Sequence, residues 1–197
     1  MLRTTITRAD IIPAEDYARI RVEKRREAMT RKRNRRMDVG PFATAYFENF
    51  ETMWRQIQEM LHIERGGEAQ IADELRAYAP LIPNGRELVA TFMMEIADPE
   101  RRSATLSRLT GVEACIFLEV GGETSMAVAE NEVERTRDDG KTSSVHFLHF
   151  PLTAAQIAAF RTPGARIVLG VNHPAYAHMA LMPEAVRLEL SGDLVAE

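Results

Sequence analysis

Four of the five histidines fall between residues 146 and 178: His146, His149, His173 and His178. Imidazole is the commonest metal ligand and the usual general base near neutral pH, so the cluster raises both chemistries. Spacing divides it. In the stretch Lys141-Thr-Ser-Ser-Val-His-Phe-Leu-His-Phe-Pro-Leu152, a regular strand sends His146 and His149 to opposite faces. His146 shares its face with Ser144, Leu148 and Phe150, and His173 sits where a later strand ends. A pairing of His146 with His173 across neighbouring strands is therefore the arrangement that could build a site. Two imidazoles do not make a metal centre, so no metal is assigned. His146 and His173 become ligands only if carboxylates arrive from elsewhere in the chain.

Other chemistries are weaker. Ser144 and His146 stand at i and i+2, but nucleophilic catalysis also needs an orienting acid and an oxyanion hole. No Gly-x-Ser-x-Gly elbow, Gly-x-Gly-x-x-Gly turn or phosphate loop occurs. Glu59 and His62 have the Glu-x-x-His spacing of di-iron bundles, without the second motif and further glutamates those sites require. The lone cysteine, Cys115, can form no intrachain disulfide, which suits a reducing cytoplasm. No cofactor is evident.

The elements that would carry these residues can be read from periodicity. Residues 14–36 are rich in helix formers, with a thin apolar stripe of Tyr17, Ile20 and Ala28. Residues 1–36 hold 12 Lys/Arg against 5 Asp/Glu, a balance of +7, so a net charge of −4 leaves −11 on the rest. A basic helix on an acidic body finds its nearest acidic partner in that body. Lys24, Arg25, Arg31, Lys32 and Arg35 are its candidates for contacting a partner. The alternative use of this helix, nucleic-acid binding, lacks aromatic residues interleaved for base stacking and is the less favoured reading.

Val39-Gly40-Pro41 ends the first helix, and Thr44–Phe47 reads as a short strand. Asn49 caps a helix over 50–65 with Phe50, Trp54, Ile57 and Leu61 on one face. A second helix follows Gly66-Gly67, over 68–78. Strands are expected at 88–96, 114–120, 124–128, 143–150 and 166–172, with a Gly121-Gly122 hairpin joining the second to the third. Asp98-Pro99 and Thr153-Ala-Ala-Gln156 open helices. Residues 131–140 form a charged loop or one short helix. The tail is read as a helix from Pro183, although Val186–Leu190 alternates like a strand.

The fold class is thus α+β: a mostly antiparallel sheet of about five to six strands packed by helices, with a long basic N-terminal helix. One domain covers 1–197, with a basic helical arm at 1–40, a mainly helical part at 41–80 and a sheet-forming half at 81–197. The stretch 141–152 is expected to supply the central strand. No apolar run reaches the ~18–20 residues of a membrane span, and the N-terminus lacks the apolar core of a secretory leader.

Gln56-Ile-Gln-Glu-Met-Leu-His-Ile-Glu-Arg65, Pro80-Leu-Ile-Pro-Asn-Gly85, Lys141-Thr-Ser-Ser-Val-His-Phe147 and His173-Pro-Ala-Tyr176 together resemble a bacterial family of about 190 residues, a domain of unknown function. The resemblance extends to the Tyr17/Arg21 region and to Val39-Gly40-Pro41. It implies Gln56, Gln58, Glu59, Arg65, Ser144, His146, His173 and Tyr176 as pocket or ligand-binding candidates. Arginine is more usual in that family where this chain has His62 and His149. Members are often encoded beside rubrerythrin-like and iron–sulfur oxidoreductase genes, which implies a redox-associated protein partner. The favoured function is a non-catalytic cytoplasmic accessory or interaction protein, with homo-oligomerisation open. The alternative is a small enzyme built around His146 and His173.

Overall fold

The computed structural model describes residues 2–130 and 142–195. After a 3-10 turn at Arg8–Asp10, the chain runs through α1 (Ala14–Lys32), β1 (Arg36–Val39), β2 (Ala43–Phe47), α2 (Phe50–Glu64) and α3 (Gly67–Tyr78). It continues through β3 (Glu87–Met94), α4 (Pro99–Leu106), β4 (Ile116–Val120), β5 (Glu123–Met126) and β6 (Val128–Ala129). The last elements are β7 (Val145–Pro151), α5 (Ala154–Arg161), β8 (Ile167–His173), β9 (Tyr176–Leu181) and α6 (Glu184–Leu190). The anticipated loop at 131–140 lies outside the described residues.

Local chemistry accounts for most boundaries. Asn49 accepts a hydrogen bond from the Thr52 amide at 3.0 Å, Asp98 caps α4 through the Arg101 amide, and Thr153 with Gln156 closes a capping box on α5. Gly121 and Gly122 both take positive φ, 61° and 83°, which lets a two-residue turn join β4 to β5. The ambiguous tail resolves as helix α6, as Pro183-Glu184 indicates.

All strand pairings are antiparallel, so the α+β reading holds. The strands form two sheets, in orders β1-β2-β3-β7-β6 and β5-β4-β8-β9. Three layers result: α1–α3, the five-stranded sheet, and the four-stranded sheet. One core lies between the sheets, where Phe47, Phe92, Leu148 and Phe150 meet Leu118, Leu169 and Val171. The other lies between the first sheet and the helices, with Val89 under Met53, Ile57 and Leu61. Burial of each large side chain in these layers contributes about 1.5–3 kcal/mol of transfer free energy.

This layering corrects several expectations. The central strand of the larger sheet is β3, with β7 beside it: β3 has two strands on either side in the sheet order, and it is covered on both faces over most of its length. Residues 36–39 leave the helix and form β1, since Met37 and Val39 can alternate into the inter-sheet core. Strand β9 escaped the reading because Ala177, Met179 and Leu181 face outward while Tyr176, His178 and Ala180 face in, a pattern with little hydropathy contrast.

Arg35 is the largest correction. Read as a surface cation for a partner, it is 2% exposed. Its Nε donates to the Phe47 carbonyl at 3.0 Å, one terminal nitrogen donates to the Glu48 carbonyl at 2.9 Å, and the guanidinium pairs with buried Asp193. Burial pushes the Asp193 carboxyl up, against the pull of Arg35. A buried charge is tolerated only when paired and hydrogen-bonded. Arg35→Met should therefore lose about 3–5 kcal/mol in urea unfolding by stranding Asp193, and the double variant Arg35→Met/Asp193→Leu should recover part of that loss.

Candidate functional site

The residues singled out from sequence do not converge. His146 is on β7 of the larger sheet, and its face with Leu148 and Phe150 points into the inter-sheet core. It is 1% exposed, with Nε2 3.0 Å from the Ser143 carbonyl and 3.5 Å from Thr142 Oγ1. His173 belongs to the other sheet, on β8. Its Nδ1 accepts from the Ala175 amide at 3.2 Å, so Nε2 carries the proton it gives to the Thr110 carbonyl at 3.3 Å. Neighbouring-strand pairing of the two histidines is thus overturned by strand order: His146 bonds within its own turn, and His173 links its turn to the Thr110 carbonyl. Ser144 occupies the bend before β7, and its carbonyl accepts from the Met94 amide at 2.8 Å. Among the described residues no group of three or more His, Cys, Asp or Glu could hold a metal ion.

Two family-pattern residues prove to be anchors. Glu59 on α2 accepts from the Tyr17 hydroxyl at 2.8 Å and from Arg21 through two nitrogens, at 2.8 and 3.1 Å. The Arg21 hydrogen bonds hold the Glu59 carboxyl below its ordinary range, and burial with the Glu59 contact drives the Tyr17 hydroxyl well above its own. Tyr17 also sits edge-on to Trp54 at 5.9 Å, and the Trp54 indole donates to the Asp10 carbonyl. Together they fix α1 across α2. Tyr176 on β9 donates to the Val39 carbonyl and accepts from the Ala43 amide at 3.2 Å, clamping the β1–β2 turn to the second sheet. Gly40 is suited to that turn twice over: it takes φ 72°, and a Cβ would meet Tyr176 and His178 at 2.6 Å. Arg65 is the left-handed C-cap of α2, φ 56°, and lines a separate groove with Arg8 and His62. Gln58 is buried on α2, and its Nε2 has no hydrogen-bond partner among the described residues.

Gln56 leads to a different place. It opens onto a cleft of about 380 Å³ between α2 and the outer face of the larger sheet. Two register rows supply the floor: Tyr46–Thr91–Phe147, and Met93–Val145 of the row beside it. Tyr78 and Leu81 line a wall, α2 presents Thr52, Met53, Arg55 and Gln56, and Lys32 comes from the end of α1. At the floor Glu48 is 9% exposed and accepts from Thr91 Oγ1 at 2.7 Å. The sequence reading missed Tyr46, Glu48, Arg55 and Thr91. Alternation along β2 and β3 already placed Tyr46 and Thr91 opposite their core-facing neighbours, but the register that aligns them is tertiary.

The outward side of α1 is a second feature. Val22 and Met29 are 73% and 63% exposed, and Arg25, Arg26 and Arg33 stand among them at helical spacing. Their guanidinium groups make no hydrogen bond or ion pair among the described residues. The inward side is engaged: Arg21 binds Glu59, Lys24 binds Glu27, Arg31 reaches Glu51 at 4.0 Å, and Lys32 lies 5.9 Å from the Tyr46 ring.

Fold and site define a layered α+β protein with an open cleft and a cationic helical face. The chain belongs to a family of proteins of unknown function, DUF3501, whose model matches residues 5–194. The chain is also similar to a crystal structure of a novel protein of unknown function from Burkholderia pseudomallei K96243. That similarity is 38% identity over 97% of this chain and 100% of the other, with a TM-score of 0.90. No curated protein matches. Among the described residues no helix is long and apolar enough to cross a membrane.

Two outcomes follow from the anchors. Tyr17→Phe removes one hydrogen bond to Glu59 and should lower stability by about 1 kcal/mol, a fall of roughly 2–4 °C in Tm for a chain of this size. His149 lies between Glu87, 3.0 Å from Nδ1, and Glu130, 2.9 Å from Nε2. The Glu87 hydrogen bond raises its pKa above 6.5 despite burial. The stabilisation this gives is full below the unfolded-state pKa and disappears as pH rises through the elevated folded value. His149→Gln should therefore be most destabilised relative to the parent at pH 5–6, with the gap narrowing by pH 9 in chemical unfolding.

Proposed function

We propose that the protein is a non-catalytic accessory protein of the cytoplasm that docks an acidic partner on the outward face of α1. The supporting observation is the exposed band in which Arg25, Arg26 and Arg33, without an ion pair among the described residues, alternate with exposed Val22 and Met29. Solvated cations set orientation and association rate, while exposed apolar side chains add contact area, a combination suited to a complementary acidic surface. Tyr17–Glu59 at one end and Arg35–Asp193 just beyond the other hold this helix in place without consuming those cations. The family resemblance makes a redox protein the partner class to try first. The histidine-centred enzyme is the less favoured reading, since His146 and His173 stand on strands of different sheets and bond to separate turns.

The test is charge reversal. Arg25→Glu/Arg26→Glu/Arg33→Glu should unfold within about 0.5 kcal/mol per site of the parent, since no native pair is broken. In co-purification from a native host it should lose an acidic protein partner at least tenfold, as should the parent washed at ~0.5 M salt. Retention of the same partners by the triple variant would overturn the proposal. So would recovery of nucleic acid in their place, seen as a raised A260/A280 ratio.

A further inference from the structure

We infer that the cleft between α2 and the outer face of the larger sheet is a binding site for a small organic anion with a flat apolar body, held at its acidic end by Arg55 and Lys32. Four observations converge on this class of ligand. The space, about 380 Å³, is within the range that encloses a small organic molecule rather than a few waters. Its floor and walls are mainly apolar or aromatic, with Met93 and Phe147 from the sheet and Tyr78 from α3. Such surfaces reward a flat hydrophobic body and give a free ion nothing.

The charged groups then fix which way round that body lies. Arg55 makes no hydrogen bond or ion pair among the described residues. Glu59, which feels its charge, is already occupied by Tyr17 and Arg21. Among the described residues the Lys32 ammonium has its contact with the Tyr46 ring and no ion pair. Lys32 from the end of α1 and Arg55 from α2 both line the cleft with Gln56, and among the described residues neither cation is held in an ion pair, which suits a carboxylate or sulfonate through charge-assisted hydrogen bonds. At the floor the sign reverses. Glu48 is buried and accepts from Thr91, and Arg35 beside it is already taken up by Asp193 and backbone carbonyls, so an acidic group placed there would meet the Glu48 carboxylate in a poorly solvated site. The ligand's acid therefore faces Arg55 and Lys32, its ring lies over Met93 and Phe147, and any hydrogen-bond donor on its far end reaches Glu48.

A matched pair of dyes tests both the place and the charge rule. 8-Anilinonaphthalene-1-sulfonate has the proposed class of structure, and N-phenyl-1-naphthylamine has the same rings without the acid. Fluorescence titration of the full chain should give one saturable sulfonate site, with the neutral dye at least tenfold weaker. Arg55→Ala should weaken sulfonate binding about tenfold or more, and Gln56→Trp, which fills the cleft, should abolish it while thermal unfolding shows both variants folded. Arg108→Ala, in the groove beside Phe42 and Tyr176, should change nothing. Equal affinity for the two dyes would overturn the anion assignment. Sulfonate binding that survives both cleft variants, or that is lost in Arg108→Ala instead, would overturn the location.

Discussion

Arg35 is the constraint on which the rest of the structure depends. It stands just past the C-terminal end of α1, and its guanidinium reaches the carbonyls of Phe47 and Glu48 and the carboxylate of Asp193. Those partners lie 12, 13 and 158 residues away in the chain. A guanidinium removed from water loses several kcal/mol of hydration, and the loss is tolerable only when nearly every N–H is spoken for. The exit from α1, the β2–α2 junction and the C-terminal turn must therefore meet at one point. Once they do, Glu48 is placed at the floor of the cleft and Lys32 at its rim.

The helical layer follows from this pinning. The α1 sequence is too polar to be held by a hydrophobic stripe, and only Tyr17 along its length is fully buried. It is held near its start by a buried aromatic ring hydrogen-bonded to Glu59, and beyond its end by the chain's turn into Arg35. Between those points the helix is free to present cations outward. Ordinary amphipathic packing would have covered more of the helix and left less of it available for recognition.

The middle sheet has a comparable consequence. Because it is packed on both faces, its outer side carries Val89 and Phe147 under the helices and also Thr91 and Tyr46 where the helices stop short. The transition from covered to uncovered sheet is what opens the cleft. Tyr46 is kept at its edge by a hydrogen bond from its hydroxyl to Glu95 at 3.0 Å and by Arg36 over its ring.

Wherever local physics decides conformation, the sequence was sufficient. Asn49, Asp98 and Thr153 announce helices because a side-chain oxygen satisfies amides within three residues, and Gly121-Gly122 announces a hairpin because both positions need positive φ. The alternation around His146 and His149 told correctly that they part to opposite faces. Where the outcome depends on what lies across from a residue, the sequence was silent. Met37 and Val39 become strand because a second sheet waits to cover them, and Arg35 is drawn inside because Asp193 arrives from the far end of the chain. His146 and His173 are divided because strand order is set by packing between sheets, which no window of neighbouring residues contains. Composition and periodicity thus determined the fold class and the helix starts. The burial of Arg35, the placing of the two histidines on different sheets and the alignment of Tyr46, Thr91 and Phe147 into a cleft floor were decided by long-range packing and register.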